Sequence, residues 1–395
     1  MADIDLTPFH DWLVQLRRTF HQFPELAYQE QKTAAKIVAV LLDLGVPARD
    51  RIGKTGVVAS LTAARPGPTL AMRADMDALP LEEQNDVPYR SQHSGVMHAC
   101  GHDAHITILL GVVRSLVENG WPEKGAGKIL FIFQPAEEGG AGAQAMLETG
   151  ILDAEPISAI FAGHMHPDLP VGHLAFAPDA SNAASDNINI RLIGKGGHGA
   201  HPQACVDPIV AGASLVTQLQ TIISRNLAAT DSAVLTIGSF HAGTARNIIP
   251  QEAVMKGTLR TLSPGVRDRV LVRLQEMLKG LEVAYQVVAE LETAVGYPLL
   301  VNDSRLVRFV DTEARTFLGD DCVHHGPPRM GSEDFAFFLQ KFPGILLRVG
   351  CHDPARGIAH GLHSPFFDLD ERVLDVGVRL FTHLLSNYTE SGQDQ

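Results

Sequence analysis

The chain has 395 residues, more than one hydrophobic core usually supports, so two domains are expected. With 45% hydrophobic and 19% charged residues and a mean hydropathy near zero, it reads as a soluble globular protein. A net charge of -13 and no lysine-rich patch argue against nucleic acid or an anionic membrane as the main partner.

The N-terminal MADIDLTPFHDW carries acids where a signal peptide has a basic region, and no apolar run reaches transmembrane length. Cys100, Cys205, Cys322 and Cys351 are too scattered for a disulfide framework, so a reducing, cytoplasmic setting is expected. Phe9, Trp12, Leu13, Leu16 and Phe20 recur at helical spacing, HQFPELAYQE breaks the pattern at Pro24, and EQKTAAKIVAVLLDLG gives a second helix ending at Gly45. GVVASLTA and TLAMRAD are β-type runs, the second delivering Asp75 and Asp77 at its end. ITILLGVVRSLVEN predicts a helix, and KILFIFQ a buried parallel strand followed directly by Glu137 and Glu138. AGAQAMLETGIL then predicts a helix and SAIFAGHMH a strand with histidines at its tip. Strands alternating with helices, with polar residues collecting at strand carboxyl ends, describe an open α/β sheet whose ligands bind outside those ends.

From Ser185 the pattern changes. NINIRLIG alternates polar and apolar residues, and a strand, helix, strand, strand, helix, strand succession follows through AYQVVAELE. That is an α+β unit of ferredoxin-like type. From about Tyr297 the first style returns, with a helix, the MGSEDFAFFLQKF segment, the strand GILLRVG and a last helix from Asp370. Residues 185–296 therefore read as an insertion into a discontinuous domain of residues 1–184 and 297–395. Only the final TESGQDQ looks disordered.

The chemistry concentrates in GVMHACGHDAH, which places His98, Cys100, His102, Asp103 and His105 within eight residues. Thiolate and imidazole suit a divalent transition metal, and an acid can orient an imidazole from behind. Cys100 and His102 need further ligands, and Glu137, Glu138, His164, His166 and His363 are offered at the ends of apolar runs. Taken singly, each has a blander reading, as a structural histidine, a buried thiol or a solvated acid pair. A Cys100 nucleophile with a histidine base is the alternative chemistry, but it leaves both glutamates, His164 and His363 without a task.

HACGHDAH, QPAEEGGAGA, GKGGHGAHP, GTARNIIP, MGSEDF and LHSP, in this order, resemble the amidohydrolase branch of the dinuclear metallo-aminoacylase and carboxypeptidase family. That branch includes hippurate hydrolase, the indole-acetyl-amino-acid hydrolases and N-acyl-amino-acid deacylases. The resemblance implies a phosphorylase/hydrolase-like α/β catalytic domain with an inserted ferredoxin-like lid and dimerisation domain. It implies two divalent ions, Zn, Mn or Ni, held by Cys100, His102, Glu138, His164 and His363. Glu137 stands at the position of the general base, Asp75 at that of an acid orienting a ligand, and His198 at that of a lid histidine reaching the partner subunit's site. Asn247 would contact substrate, and Gly331 and Ser332 would lie near its carboxylate. His198 also reads as a loop histidine, and Gly331-Ser332 as a helix cap. Two departures stand out: Gln203 follows the lid's Pro202, and the segment before the lid is the polar Asp179-Ala-Ser-Asn182-Ala183.

The implied activity is hydrolysis of the amide of an N-acyl amino acid (acetyl, benzoyl or aryl-acyl), giving a carboxylic acid and a free amino acid. A dipeptidase or carboxypeptidase of the same family is the alternative, and an inactive binding protein the alternative from another class. The expected assembly is a homodimer, or a tetramer built from it.

Overall fold

The computed structural model describes residues 10–391. Phe9 and the end of the tail lie outside that range, but Thr389–Ser391, expected without structure, close the last helix instead. The chain divides into two compact units. The first runs to Asp179 and resumes over Val301–Pro327 and from Asp334, and the second comprises Ala180–Leu300 and Pro328–Glu333.

The first unit opens with helices α1 (His10–Gln22) and α2 (Gln31–Asp43). Leu13, Leu16 and Phe20 form the buried stripe of α1, at the spacing that keeps one face inward. β1 (Ala48–Ile52), β2 (Gly56–Thr62), β3 (Arg65–Asp75), α3 (His102–Glu118), β4 (Ala126–Gln134), α4 (Gly142–Glu148), β5 (Ile157–Pro170) and β6 (Leu174–Phe176) follow. α4 is shorter than expected, because Thr149 and Gly150 terminate it.

The second unit contributes β7 (Ala184–Ile193), α5 (Pro208–Asn226), β8 (Ala233–Ala242), β9 (Glu252–Thr261), α6 (Pro264–Tyr285) and β10 (Val288–Val295). Its sheet runs β8-β9-β7-β10 with antiparallel pairs throughout, the arrangement of a ferredoxin-like unit. Ile188, Ile190 and Leu192 point from alternate positions of β7 into a core shared with Leu215, Leu219, Val270 and Leu274. Asp207 caps α5 by accepting the Ile209 N–H at 2.8 Å. Residues 328–333 join this unit because Arg329 bridges Asn182 and accepts the Ala183 N–H at 3.0 Å.

The first unit closes with α7 (Ser304–Leu318), β11 (Val323–His325), α8 (Ala336–Leu339), β12 (Gly344–His352) and α9 (Arg372–Ser391). Its eight-stranded mixed sheet runs β1-β2-β4-β3-β5-β12-β6-β11. β4, β3, β5 and β12 are mutually parallel, so their carboxyl ends lie along one edge. Phe131 and Phe133 of β4, Phe161 of β5 and nearly every residue of α3 are buried in this core. Register brings the site together: Arg73 lies opposite both Ile132 and Ala162, and two residues further along stand Asp75, Gln134 and His164. No described helix is long and apolar enough to cross a membrane.

Candidate metal centre

Cys100 and His102 sit where the chain enters α3, separated by Gly101 at φ +85°. A Cβ on Gly101 would stand 2.6 Å from Met165 Cγ, so the left-handed backbone and the close approach both require glycine there. Cys100, His102 and His164 each offer a ligand atom within 4.8 Å of the others, and so do Cys100, Glu138 and His363. Two donor triads therefore share one thiol. Glu137 lies within the same distance of His102 and Glu138.

Two of the three imidazoles are oriented by their second nitrogen. His102 donates from Nδ1 to the Asp77 carbonyl at 2.9 Å, and His164 donates from Nδ1 to the Met165 carbonyl at 2.9 Å. Both Nε2 atoms are thereby left for the site, with His164 Nε2 3.6 Å from Cys100 Sγ. His363 adopts φ +62° and its N–H donates to the Ala99 carbonyl at 2.8 Å, tying its loop to the residue before Cys100. Its Nε2 lies 3.1 Å from Glu138 Oε1.

His105 is engaged at both nitrogens. Its Nε2 accepts the Met165 N–H at 2.8 Å and its Nδ1 meets Asp75 Oδ1 at 2.6 Å, so it braces the site without a free donor atom. Asp75, expected to orient a ligand, instead joins Arg73 (2.7 Å) and His105, and stands 3.7 Å from His102 Nε2. Asp77 is the acid that sequence reading left without a role. Its Oδ1 accepts the Glu137 N–H at 3.0 Å and its Oδ2 the Glu138 N–H at 2.9 Å, while its carbonyl holds His102. Asp75 is the last residue of β3 and Asp77 lies two residues beyond it, facing the turn of residues 135–142.

The electrostatics call for a cation. Burial would lower the His102 pKa, but Asp75, Asp77 and Glu138 outweigh it and raise it to about 10. Burial, then Glu138 and Glu137, push the Cys100 thiol well above its usual range. Burial and the neighbouring His105 push His164 down to about 3, which keeps it neutral as a metal ligand must be. Among the described residues His102 Nε2 is fully buried and makes no hydrogen bond, an arrangement that costs stability without a partner. A thiol, imidazoles and carboxylates around such an orphaned atom fit a divalent transition metal.

His198, Asn247, Gly331 and Ser332 belong to the second unit. His198 pairs with Ile248, and Gly199 N–H donates to the Asn247 carbonyl at 2.8 Å, so His198 and Asn247 share one short ladder and both are exposed. Ser332 does not cap a helix, because α8 begins only at Ala336. Arg260 donates to its Oγ and to the Met330 carbonyl, each at 3.1 Å, and Asn182 donates to the Gly331 carbonyl. All four cysteines are free.

Residues 71–387 match the sequence profile of peptidase family M20/M25/M40. The chain belongs to that family. It is 39% identical to the N-acetyldiaminopimelate deacetylase of Anoxybacillus flavithermus over 94% of this chain and 96% of that protein. It is 38% identical to an N-acetyl-L-cysteine deacetylase of Bacillus subtilis over 94% of this chain and 86% of that one. A Bacillus subtilis crystal structure described as a dinuclear metal binding peptidase of the M20 family superposes with TM-score 0.85 at 34% identity, covering 97% of this chain and 99% of that one. A structure from methicillin-resistant Staphylococcus aureus gives 0.91 at 32% identity over 97% and 98%. This M20 chain is thus a hydrolase of metal-dependent, peptidase-like type with the α/β architecture of its family.

Proposed function

We propose that the protein removes the acyl group, acetyl by preference, from an N-acyl amino acid, with two divalent ions held by Cys100, His102, Glu138, His164 and His363. The observation that carries this reading is the pair of donor triads sharing Cys100 with Glu137 beside them. The names of the two deacetylase relatives support acetyl as the acyl group.

Divalent ions bound there supply Lewis acidity and lower the pKa of water. The chain's own residues do the rest. Glu137, 6% exposed, accepts the proton that a water molecule gives up as its oxygen bonds to the amide carbon. The same carboxyl then delivers that proton to the departing nitrogen as the C–N bond breaks, leaving a carboxylic acid and an amine, whose proton transfer at neutral pH gives carboxylate and ammonium. Asp77 fixes the backbone under both glutamates, so that Glu138 ligates while Glu137 stays available. His198 and Asn247 are assigned to substrate from the second unit, and Gly331 and Ser332, beside the Arg260 guanidinium, to its carboxylate. A homodimer through the second unit completes the proposal, supported by exposed Val288 and Val295 on its edge strand β10.

The test is a panel of N-acetyl, N-benzoyl and indole-acetyl amino acids beside free dipeptides, with the protein stripped by chelation and reloaded with Zn, Mn or Ni. Hydrolysis of blocked substrates, lost on stripping and restored by metal, is expected. Cleavage of dipeptides alone moves the assignment to a peptidase, and full activity of the stripped protein rejects the metal centre.

Asp77→Asn probes the support beneath the ligands. A carboxamide turns an NH2 group toward one of the two N–H donors that the carboxylate now accepts. Metal affinity, read by chelator competition, is expected to fall about 10- to 100-fold. An unchanged affinity would show that the turn holds its shape without Asp77.

A further inference from the structure

We propose that Glu30, assisted by Tyr28, is a positioning residue for the reaction: it locks the turn of residues 135–142 in the shape that aims Glu137 and Glu138 into the site. This rests on the roles given to the two glutamates above. Neither residue comes from the metal-type motifs; both lie in HQFPELAYQE, which the sequence marks only as a break between helices.

Glu30 stands at the N-cap of α2, where its carbonyl accepts the Ala34 N–H at 2.9 Å. An acid in that position ordinarily turns its side chain back onto the first helical N–H groups. Glu30 does not. Glu25 performs that task, accepting the Thr33 N–H at 2.9 Å and the Thr33 hydroxyl at 3.0 Å. The Glu30 carboxyl is fully buried, and its Oε1 accepts the Ala136 N–H at 2.9 Å while Oε2 accepts the Thr55 hydroxyl at 2.6 Å. Burying a carboxyl is costly unless its oxygens are engaged, and here the helix gains nothing from it. What gains is Ala136.

Ala136 precedes Glu137 and sits at φ +52°, a region that costs an L-residue about 1–2 kcal/mol. Without that turn, adjacent side chains leaving a strand point to opposite sides. The bend is closed by the Gly140 and Gly142 N–H groups donating to the Ala136 carbonyl at 3.1 and 3.2 Å. Gly142 passes so near Pro135 that a Cβ would stand 1.6 Å from the Pro135 oxygen. Tyr28 grips the far side, its hydroxyl donating to the Gly140 carbonyl at 2.6 Å. Three successive N–H groups, of Ala136, Glu137 and Glu138, are therefore held by Glu30 Oε1, Asp77 Oδ1 and Asp77 Oδ2. Asp77 holds the middle of the turn, and the Tyr28–Glu30 strap holds its two shoulders.

The experiment compares Glu30→Ala, Glu30→Gln and Glu25→Ala in the metal-loaded enzyme, well below each melting temperature. Glu30→Ala is expected to lower kcat about 10- to 100-fold with KM within about threefold, as a misplacement near 1 Å does. Glu30→Gln is expected within about threefold of wild type, because its amide oxygen still accepts from Ala136 and the Thr55 hydroxyl can rotate to accept from the NH2 group. Glu25→Ala uncaps the same helix, so it is expected to lower the melting temperature while leaving kcat unchanged. Wild-type kcat in folded Glu30→Ala, a loss no greater than that of Glu25→Ala, or a Glu30→Gln as impaired as Glu30→Ala overturns the assignment. If Glu30→Ala does not fold, Tyr28→Phe decides: a fall in kcat at constant KM supports the strap and an unchanged kcat overturns it. Chelator competition on Glu30→Ala, expected to show weakened metal retention because Glu138 loses its aim, needs no substrate. A wrong substrate class would thus appear as an inactive wild type with that contrast intact.

Discussion

Glu137→Gln is expected to lower kcat by about a thousandfold while KM, metal content and melting temperature stay near wild type. The substitution is isosteric and leaves the backbone untouched, so the Glu137 N–H still donates to Asp77. The amide oxygen can keep the contact that Glu137 Oε1 makes with the Asp334 N–H at 3.4 Å. What disappears is the ability to take a proton from water and return it to the leaving nitrogen. Glu138→Gln makes the informative contrast. Its Oε1 faces His363, and His102 lies 4.0 Å away, so the proposed function makes its carboxyl a ligand, and its loss is expected to weaken metal retention as well as turnover. Steady-state kinetics with metal analysis on both variants separates the two roles. A Glu137→Gln enzyme retaining more than about a tenth of wild-type kcat would remove Glu137 from proton transfer.

The division of labour between those glutamates was partly legible in the sequence. KILFIFQ announced a buried strand and Pro135 its end, so two acids just beyond it had to sit at a sheet edge, where sites form in α/β folds. Cys100 and His102 were legible only together with the glutamates and histidines offered at other strand ends, since each taken singly has a blander reading. Adjacent side chains on an extended segment point apart, so aiming both glutamates one way needs a turn, and Ala136 in the left-handed region supplies it. Nothing in the residue types marked that alanine. The partners of Asp77, Arg73 and Glu30 were illegible for a common reason: each reaches a residue distant in sequence, and such pairing is fixed by tertiary packing, not by local pattern. Asp75 carries the orienting task only through the family resemblance, which matches it by its place in TLAMRAD. In the structure the Asp77 carbonyl, beyond the strand that ends at Asp75, accepts from His102 Nδ1, while the Asp75 carboxyl engages His105. Gly331-Ser332 shows the converse: a local helix-cap reading fails because α8 starts later and Arg260 takes the serine.

Arg73→Met is expected to destabilise the first unit by about 3–5 kcal/mol, the effect of removing one partner from a buried ion network. Arg73 is 1% exposed, and its guanidinium reaches Asp75 Oδ2 at 2.7 Å, Asp334 Oδ1 at 2.9 Å and Gln134 Oε1 at 2.7 Å. Both aspartates are fully buried, so methionine fills the space and leaves two carboxylates without their cation. Arg73→Lys is expected to recover only part of the loss, because one ammonium cannot serve three acceptors that a planar fork spans. The pH dependence has a definite sign. Burial alone would raise the Asp75 pKa, but His102, Arg73 and His105 outweigh it and hold that carboxyl well below its usual range. A depressed folded pKa contributes stability above the unfolded pKa and loses it as pH falls through the folded one. Removing Arg73 raises the folded pKa, so the deficit of Arg73→Met against wild type is expected to be largest near neutrality and to narrow toward acid. Urea unfolding of the two proteins from pH 7 down to about pH 4, where free carboxyls begin to protonate, reads this directly. A deficit that stays constant with pH would mean that Arg73 supports the fold through packing, including its contact with the Phe335 ring at 5.6 Å, and not through its charge on Asp75.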